Sequence, residues 1–386
     1  MHLILVHIGP EFPEYINDCI SQANKFINIP IHVLISKEHI NRVSNIAIRY
    51  PIEYLGSSYI TEFDSNSKLD FSFRNGFWKY ATMRFFYIHA YALKTNIEDI
   101  FHIEYDNLIY YDIARKIDVF RQMNMWLVMD AENRCIPSFM YFKNHQAIEP
   151  LLPHMIRTSK ENMNDMHSLA EYYRNNKETT GALPIVINYP DTVDPMFYQN
   201  AFKFGCLFDG ACVGQYIGGI DSRNQSGDTI GFINETAVIK CNKCNIEWKV
   251  VDDLKRPFLN DLPVINLHVH SKDLKRWSSY FSFNMDIISG ERIQNICDVY
   301  CGLKEDFDYN PIISFQKSKH LDISQLSAPF NNPLFVFCYP HRLTLLGSKI
   351  DLFQNQFILV THNSDENITP RYLYILSLIH ISEPTR

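Results

Sequence analysis

The chain lacks any apolar run approaching the roughly 18 residues a bilayer crossing needs. Its opening, MHLILVHIGPEF, is too short and too uncharged at its start for a secretion signal. Nowhere does it carry a G-x-x-x-x-G-K-[ST] phosphate loop, and IGPEFPEY, where such a loop would follow the first strand, has no lysine. Positive charge is also short: the formal net charge of −7 argues against a nucleic-acid coat and against a polybasic membrane anchor. The nine cysteines are odd in number and irregularly spaced, which fits reduced thiols and not a disulfide framework. Cys241 and Cys244 form a single C-x-x-C with no second pair to complete four zinc ligands, and Cys297 and Cys301 are spaced as neighbours on one helix face. There is no internal repeat and no low-complexity tract. These absences lead us to expect a soluble, cytoplasmic chain without a transmembrane segment or a nucleic-acid partner.

What is present is a large potential core. Of 386 residues, 46% are hydrophobic and 14% aromatic, enough for one large domain or two. HLILVHIG reads as a strand. EYINDCISQANKFI has apolar residues at helical spacing, and IPIHVLIS is a second strand. Strand, helix, strand at this distance predicts a parallel pair joined by a right-handed crossover. IEYL, residues 52–55, is the expected third strand. A serine-rich loop separates it from a long buried helix, NGFWKYATMRFFYIHAYALKTN, which leads into the strand IFHIEYD. CIPSFMYFKN reads as a strand or hairpin returning across the sheet, and amphipathic stretches near 146–157 and 163–175 read as helices. The fold class is therefore α/β, with a mixed, mostly parallel sheet flanked by helices.

The end of that fourth strand poses the chemical question. Glu104 and Asp106 lie at i and i+2, so on an extended backbone they point to one side and repel each other. Either a cation sits between them or the edge is solvated enough to weaken the repulsion. In open parallel sheets ligands bind outside the carboxyl ends of the strands. An acid-x-acid there can hold Mn²⁺ or Mg²⁺ against two phosphates, because these ions prefer oxygen ligands and need few from protein. Further along, VINLHVH ends on His268 and His270 and is followed by the basic piece SKDLKRW. The histidines are either metal ligands or half-buried strand residues.

The order strand, helix, strand, buried helix, HIEYDNLIYYD and CIPSFMYFKN resembles nucleotide-sugar glycosyltransferases of the GT-A fold, over about residues 1–275. Those enzymes hold a metal and a sugar nucleotide with Asp-x-Asp, where this chain has Glu104-Tyr105-Asp106. The resemblance implies that Asp106 bonds the metal directly and Glu104 acts through water or ribose. NLHVHSKDLKRW is similar to a glycogenin-like arrangement of a His, a Lys and a Trp. It implies His268 or His270 in the metal shell and Lys275 at the diphosphate, with Trp277 following, although Arg276 stands where those enzymes have Pro. A nucleoside-diphosphate sugar donor and a glycan or glycoprotein acceptor are the expected partners. A metal-dependent nucleotidyltransferase and a non-catalytic nucleotide- or glycan-binding module are the rival readings.

Other residues have two readings each. Asp209 and Asp221 flank GACVGQYIGGI, within a span holding five of the 14 glycines. They are candidates for binding sugar hydroxyls or for general-base catalysis, or else a turn and a cap. Arg74, Lys79 and Arg84 could meet the diphosphate, or be helix residues with snorkelling side chains. From 276 to 375 a second strand–helix–strand pattern resembles the start of a Rossmann-like, GT-B-type unit, with THNSDENI at a strand end. The tail LSLIHISEPTR, residues 376–386, resembles one translated frame of a sequencing-library adapter. It is expected to be non-native, with the natural chain continuing beyond Ile375.

Overall fold

The computed structural model describes residues 1–279 except 70, 188–192, 225–228 and 253, together with strands at 334–338, 357–361 and 372–376. The chain divides into two compact units, Met1–Ser279 and Tyr280–Arg386. In the first, β1 (His2–Val6), α1 (Ile16–Phe26) and β2 (Ile31–Ile35) form the expected parallel unit, with Leu3 opposite Ile31. Helix α1 buries Ile16, Cys19, Ile20 and Ala23, one stripe at helical spacing, and so covers the sheet.

Strand β3 is Ile48–Pro51, not IEYL; Ile52–Tyr54 is a single 3₁₀ turn. The apolar signal misled because Ile52 enters the core from the turn, whereas Ile48 and Arg49 on the edge strand are exposed. Next come α2 (Ser58–Asn66), α3 (Phe77–Thr95), β4 (Ile100–Ile103) and β5 (Asn107–Ile109). After them follow β6 (Met125–Leu127), a hairpin of β7 (Met129–Ala131) and β8 (Arg134–Cys135), β9 (Phe139–Phe142), and helices Leu151–Lys160 and Asp165–Asn175.

With β10 (Thr180–Ala182) the main sheet has seven strands, in the order β10-β6-β9-β4-β1-β2-β3. Only β9 runs antiparallel to its neighbours, so the sheet is mixed and mostly parallel, as expected. All four residues of β4 are buried, which matches a central strand covered on both faces.

Strands β11 (Ile246–Val251), β12 (Leu254–Leu259) and β13 (Leu262–Pro263) make a small antiparallel sheet. Strand β14 (Asn266–His268) is shorter than the VINLHVH run. It pairs antiparallel with β5, placing His268 opposite Asn107. In the second unit, β15 (Leu334–Cys338) and β16 (Phe357–Thr361) are parallel, and β17 (Tyr372–Leu376) pairs antiparallel with β16. The helix expected between β15 and β16, THNSDENI after its first Thr, the Cys297 and Cys301 pair, and the tail after Leu376 lie outside the described residues. Among the described residues no helix is long and apolar enough to cross a membrane.

The outer strand β10 packs tightly against β6. A Cβ on Gly181 would come within 2.3 Å of the Trp126 ring, which is itself fully buried. Gly181→Ala should therefore cost about 1–3 kcal/mol through overpacking, read as a lower denaturant midpoint with an unchanged slope.

Candidate metal centre

Strand β4 stops at Ile103, and the next residues turn: the Asn107 N–H donates to the Glu104 carbonyl at 3.0 Å. Tyr105 leaves on one side, its hydroxyl 3.1 Å from His7 Nδ1 at the end of β1. Glu104 and Asp106 come together on the other, and His268 joins them from 162 residues further along the chain. One ligand atom from each of the three lies within 4.8 Å of the others. His268 Nε2 is 3.0 Å from Asp106 Oδ2 and 3.5 Å from Glu104 Oε2. Two carboxylate oxygens and one imidazole nitrogen are a donor set that suits Mn²⁺ and, with more water in the shell, Mg²⁺. The residues fit the expected ion.

Cations answer the repulsion between the acids, while Glu104, its side chain 21% exposed, keeps partial contact with solvent. Asp106 is only 6% exposed, which corrects any placing of it at a solvated edge. The Lys272 ammonium contacts Asp106 Oδ2, the same oxygen that faces His268. Burial opposes the Asp106 charge, but His268 and Lys272 outweigh it and hold the carboxyl well below its ordinary range. Burial likewise lowers His268, and Asp106 more than reverses this, so the net shift is upward. Arg84, buried on α3, reaches Glu104 Oε1 with one nitrogen and Asp165 Oδ2 with another, each at 2.6 Å.

Backbone pairing sets His268 in place. The Val269 N–H donates to the Asp106 carbonyl at 2.8 Å, and the Asn266 side chain links Asn107 to the Asp209 carbonyl. The Asp209 carboxylate accepts three backbone N–H groups, from Val213 at 2.9 Å, Gly214 at 2.8 Å and His268 at 3.1 Å. It thus clasps helix Cys212–Gly218 to β14. The glycine there serves this backbone approach, since a Cβ on Gly214 would sit 2.0 Å from the His268 carbonyl oxygen.

The other expected residues are dispersed. His270 lies past the strand, its ring 6.0 Å from that of His268. Its Nδ1 accepts the Asp221 N–H at 2.9 Å. Burial, with the neighbouring Lys272 charge, depresses His270 to about 4. The Asp221 carboxylate is gripped by Arg223 at 2.8 Å and approached by Arg74 at 3.4 Å; burial opposes its charge, yet Arg223 holds it at about 2. Lys79 pairs with Asp64 at 2.6 Å. Lys275 is exposed on the short helix Leu274–Trp277. Trp277 stacks on Trp248. Cys241 and Cys244 are free thiols. Sequence reasoning missed Lys272 and Asp165. Lys272 stood within the quoted SKDLKRW, four residues after His268. Asp165 carried no local signal, because only the packing of its helix brings it to Arg84.

No protein-family model matches this chain, and no curated protein matches it in sequence. Among solved structures, the apo form of mouse xyloside xylosyltransferase 1 is similar over 53% of this chain and 92% of that one, at 12% identity and a TM-score of 0.37. A likeness at that score fixes neither fold nor function. The cluster itself must carry the reading.

Two outcomes follow from the geometry. Asp106→Ala should abolish Mn²⁺ binding, and it should also cost about 1–3 kcal/mol of stability, because His268 and Lys272 lose their acceptor. Asp106→Asn should lose the ion almost as completely, and thermal unfolding with and without Mn²⁺ checks both. Because the folded His268 titrates above its ordinary value, an ion arriving below that point must displace its proton. Mn²⁺ affinity should fall as pH falls, and calorimetry in buffers of different ionisation heat should detect proton release.

Proposed function

We propose that the first unit is a glycosyltransferase of the GT-A kind. It would move a sugar from a nucleoside-diphosphate sugar to a glycan or glycoprotein acceptor, with Mn²⁺ or Mg²⁺ held by Glu104, Asp106 and His268. One observation carries the reading: an acid-x-acid pair at the carboxyl end of a central strand is joined by a histidine from a distant strand, at ligand distance. Ligands of open α/β sheets gather at that edge.

When bound, the ion would neutralise the diphosphate and stabilise it as a leaving group. The chain's own residues divide the remaining work. Asp106 and His268 face each other as the direct ligands. Arg84, anchored by Asp165, orients Glu104, which leaves that guanidinium as a positioning group and not as a diphosphate contact. Asp209 acts through the backbone, holding the strand that bears His268; its oxygens are already occupied by N–H donors. Asp221 ties the 221–224 turn to His270 and keeps Arg74 and Arg223 beside the site. Its low pKa makes it a poor proton acceptor at neutral pH, so its part in this reading is to arrange cations near the donor.

The test is titration calorimetry with UDP and GDP, with and without Mn²⁺, followed by a screen of sugar nucleotides for donor hydrolysis. Nucleotide binding that requires Mn²⁺ and is lost in Asp106→Ala is the expected result. Nucleotide binding indifferent to metal, or hydrolysis confined to nucleoside triphosphates, would remove the transferase reading.

A further inference from the structure

The two cations beside the acids are not equivalent. Arg84 has a side chain 9% exposed and is held at both ends of its guanidinium by Glu104 and Asp165, so it cannot leave without stranding a second buried carboxylate. Lys272 is different. Its side chain is 23% exposed, and among the described residues its ion pair is with Asp106 alone. Its ammonium sits on Asp106 Oδ2, which is also the oxygen facing His268 Nε2. A metal ion that bonds this oxygen competes with the ammonium for the place beside it. Two cations cannot share that place, because each repels the other at close range.

We propose that Lys272 is a resident counter-ion of the carboxylate site, which a divalent ion displaces from Asp106 and which then becomes available to the anionic part of the ligand. This rests on the metal-site reading above and adds a coupling to it. Without metal, Lys272 neutralises Asp106 and keeps the cluster folded. With metal, Lys272 is released into a neighbourhood that already holds positive charge from Arg74 and Arg223 around Asp221, and a diphosphate complements it. Metal and nucleoside diphosphate should therefore promote each other's binding, beyond any direct bond between them. The coupling is reciprocal: whatever the ion loses in evicting Lys272, Lys272 loses in admitting the ion.

The test reads metal binding alone, by Mn²⁺ electron paramagnetic resonance at fixed pH and without nucleotide. Removing the competing ammonium in Lys272→Gln should tighten Mn²⁺ by about tenfold, within the usual range of such couplings. In the same variant the enhancement of Mn²⁺ binding that UDP gives the parent chain should shrink to what the direct metal–diphosphate bond supplies. Lys272→Gln with unchanged or weaker Mn²⁺ affinity, while the parent binds the ion, would overturn the counter-ion proposal and leave the metal site standing. Absence of Mn²⁺ binding in both chains would overturn both. A second measurement needs no variant. Amine acylation at Lys272, followed by peptide mass spectrometry, should be slow in the metal-free chain and rise on adding Mn²⁺; a rate indifferent to Mn²⁺ would count against displacement.

Discussion

Paired carboxylates on one side of a buried strand end need positive charge beside them, and most of the first unit's local architecture answers that need. Asp106, buried beside a second acid, keeps its charge because cations arrive from elsewhere. The chain supplies them from separate elements: Arg84 from the long helix α3 and Lys272 from the turn after β14. His268 completes the set. A divalent ion would answer the same constraint by another route, and the cluster is balanced by these cations without one.

The scaffolding around the cluster is made largely of backbone hydrogen bonds. The β5–β14 ribbon aligns His268 with Asn107, and the Asp209 carboxylate gathers N–H groups from two segments that would otherwise separate. Burying a carboxylate is costly unless its lone pairs are filled, and here the filling donors are what fix the geometry. Close approach at Gly214 allows helix Cys212–Gly218 to lie against β14. Gly214 and Asp209, from a segment whose sequence left both a substrate role and a turn open, thus hold the strand that bears His268.

Legibility in the sequence varied with the range of the interaction. The alternation of apolar strand and amphipathic helix made the parallel core readable, because each element's burial pattern is local. The third strand was not readable: its exposed Ile48 and Arg49 carry no periodicity, while the buried Ile52 lies in a turn. Glu104 and Asp106 were visible through their spacing at the end of an apolar run. His268 was visible only as one of two histidines, and choosing it required knowing that β14 ends there and that His270 turns away to Asp221.

By itself the sequence determined the α/β class and the apolar strand that leads into two acids, since hydrophobic pattern is a property of consecutive residues. The acids meet on one side because the backbone turns after Ile103, not because an extended strand alternates. Tertiary structure decided which charges meet. Lys272 and not Lys275 reaches Asp106, Arg84 turns inward to Asp165, and Lys79 turns aside to Asp64. Charge–charge contacts here join residues 20 and 166 positions apart, and no local spacing rule specifies which distant side chain will fill a given site.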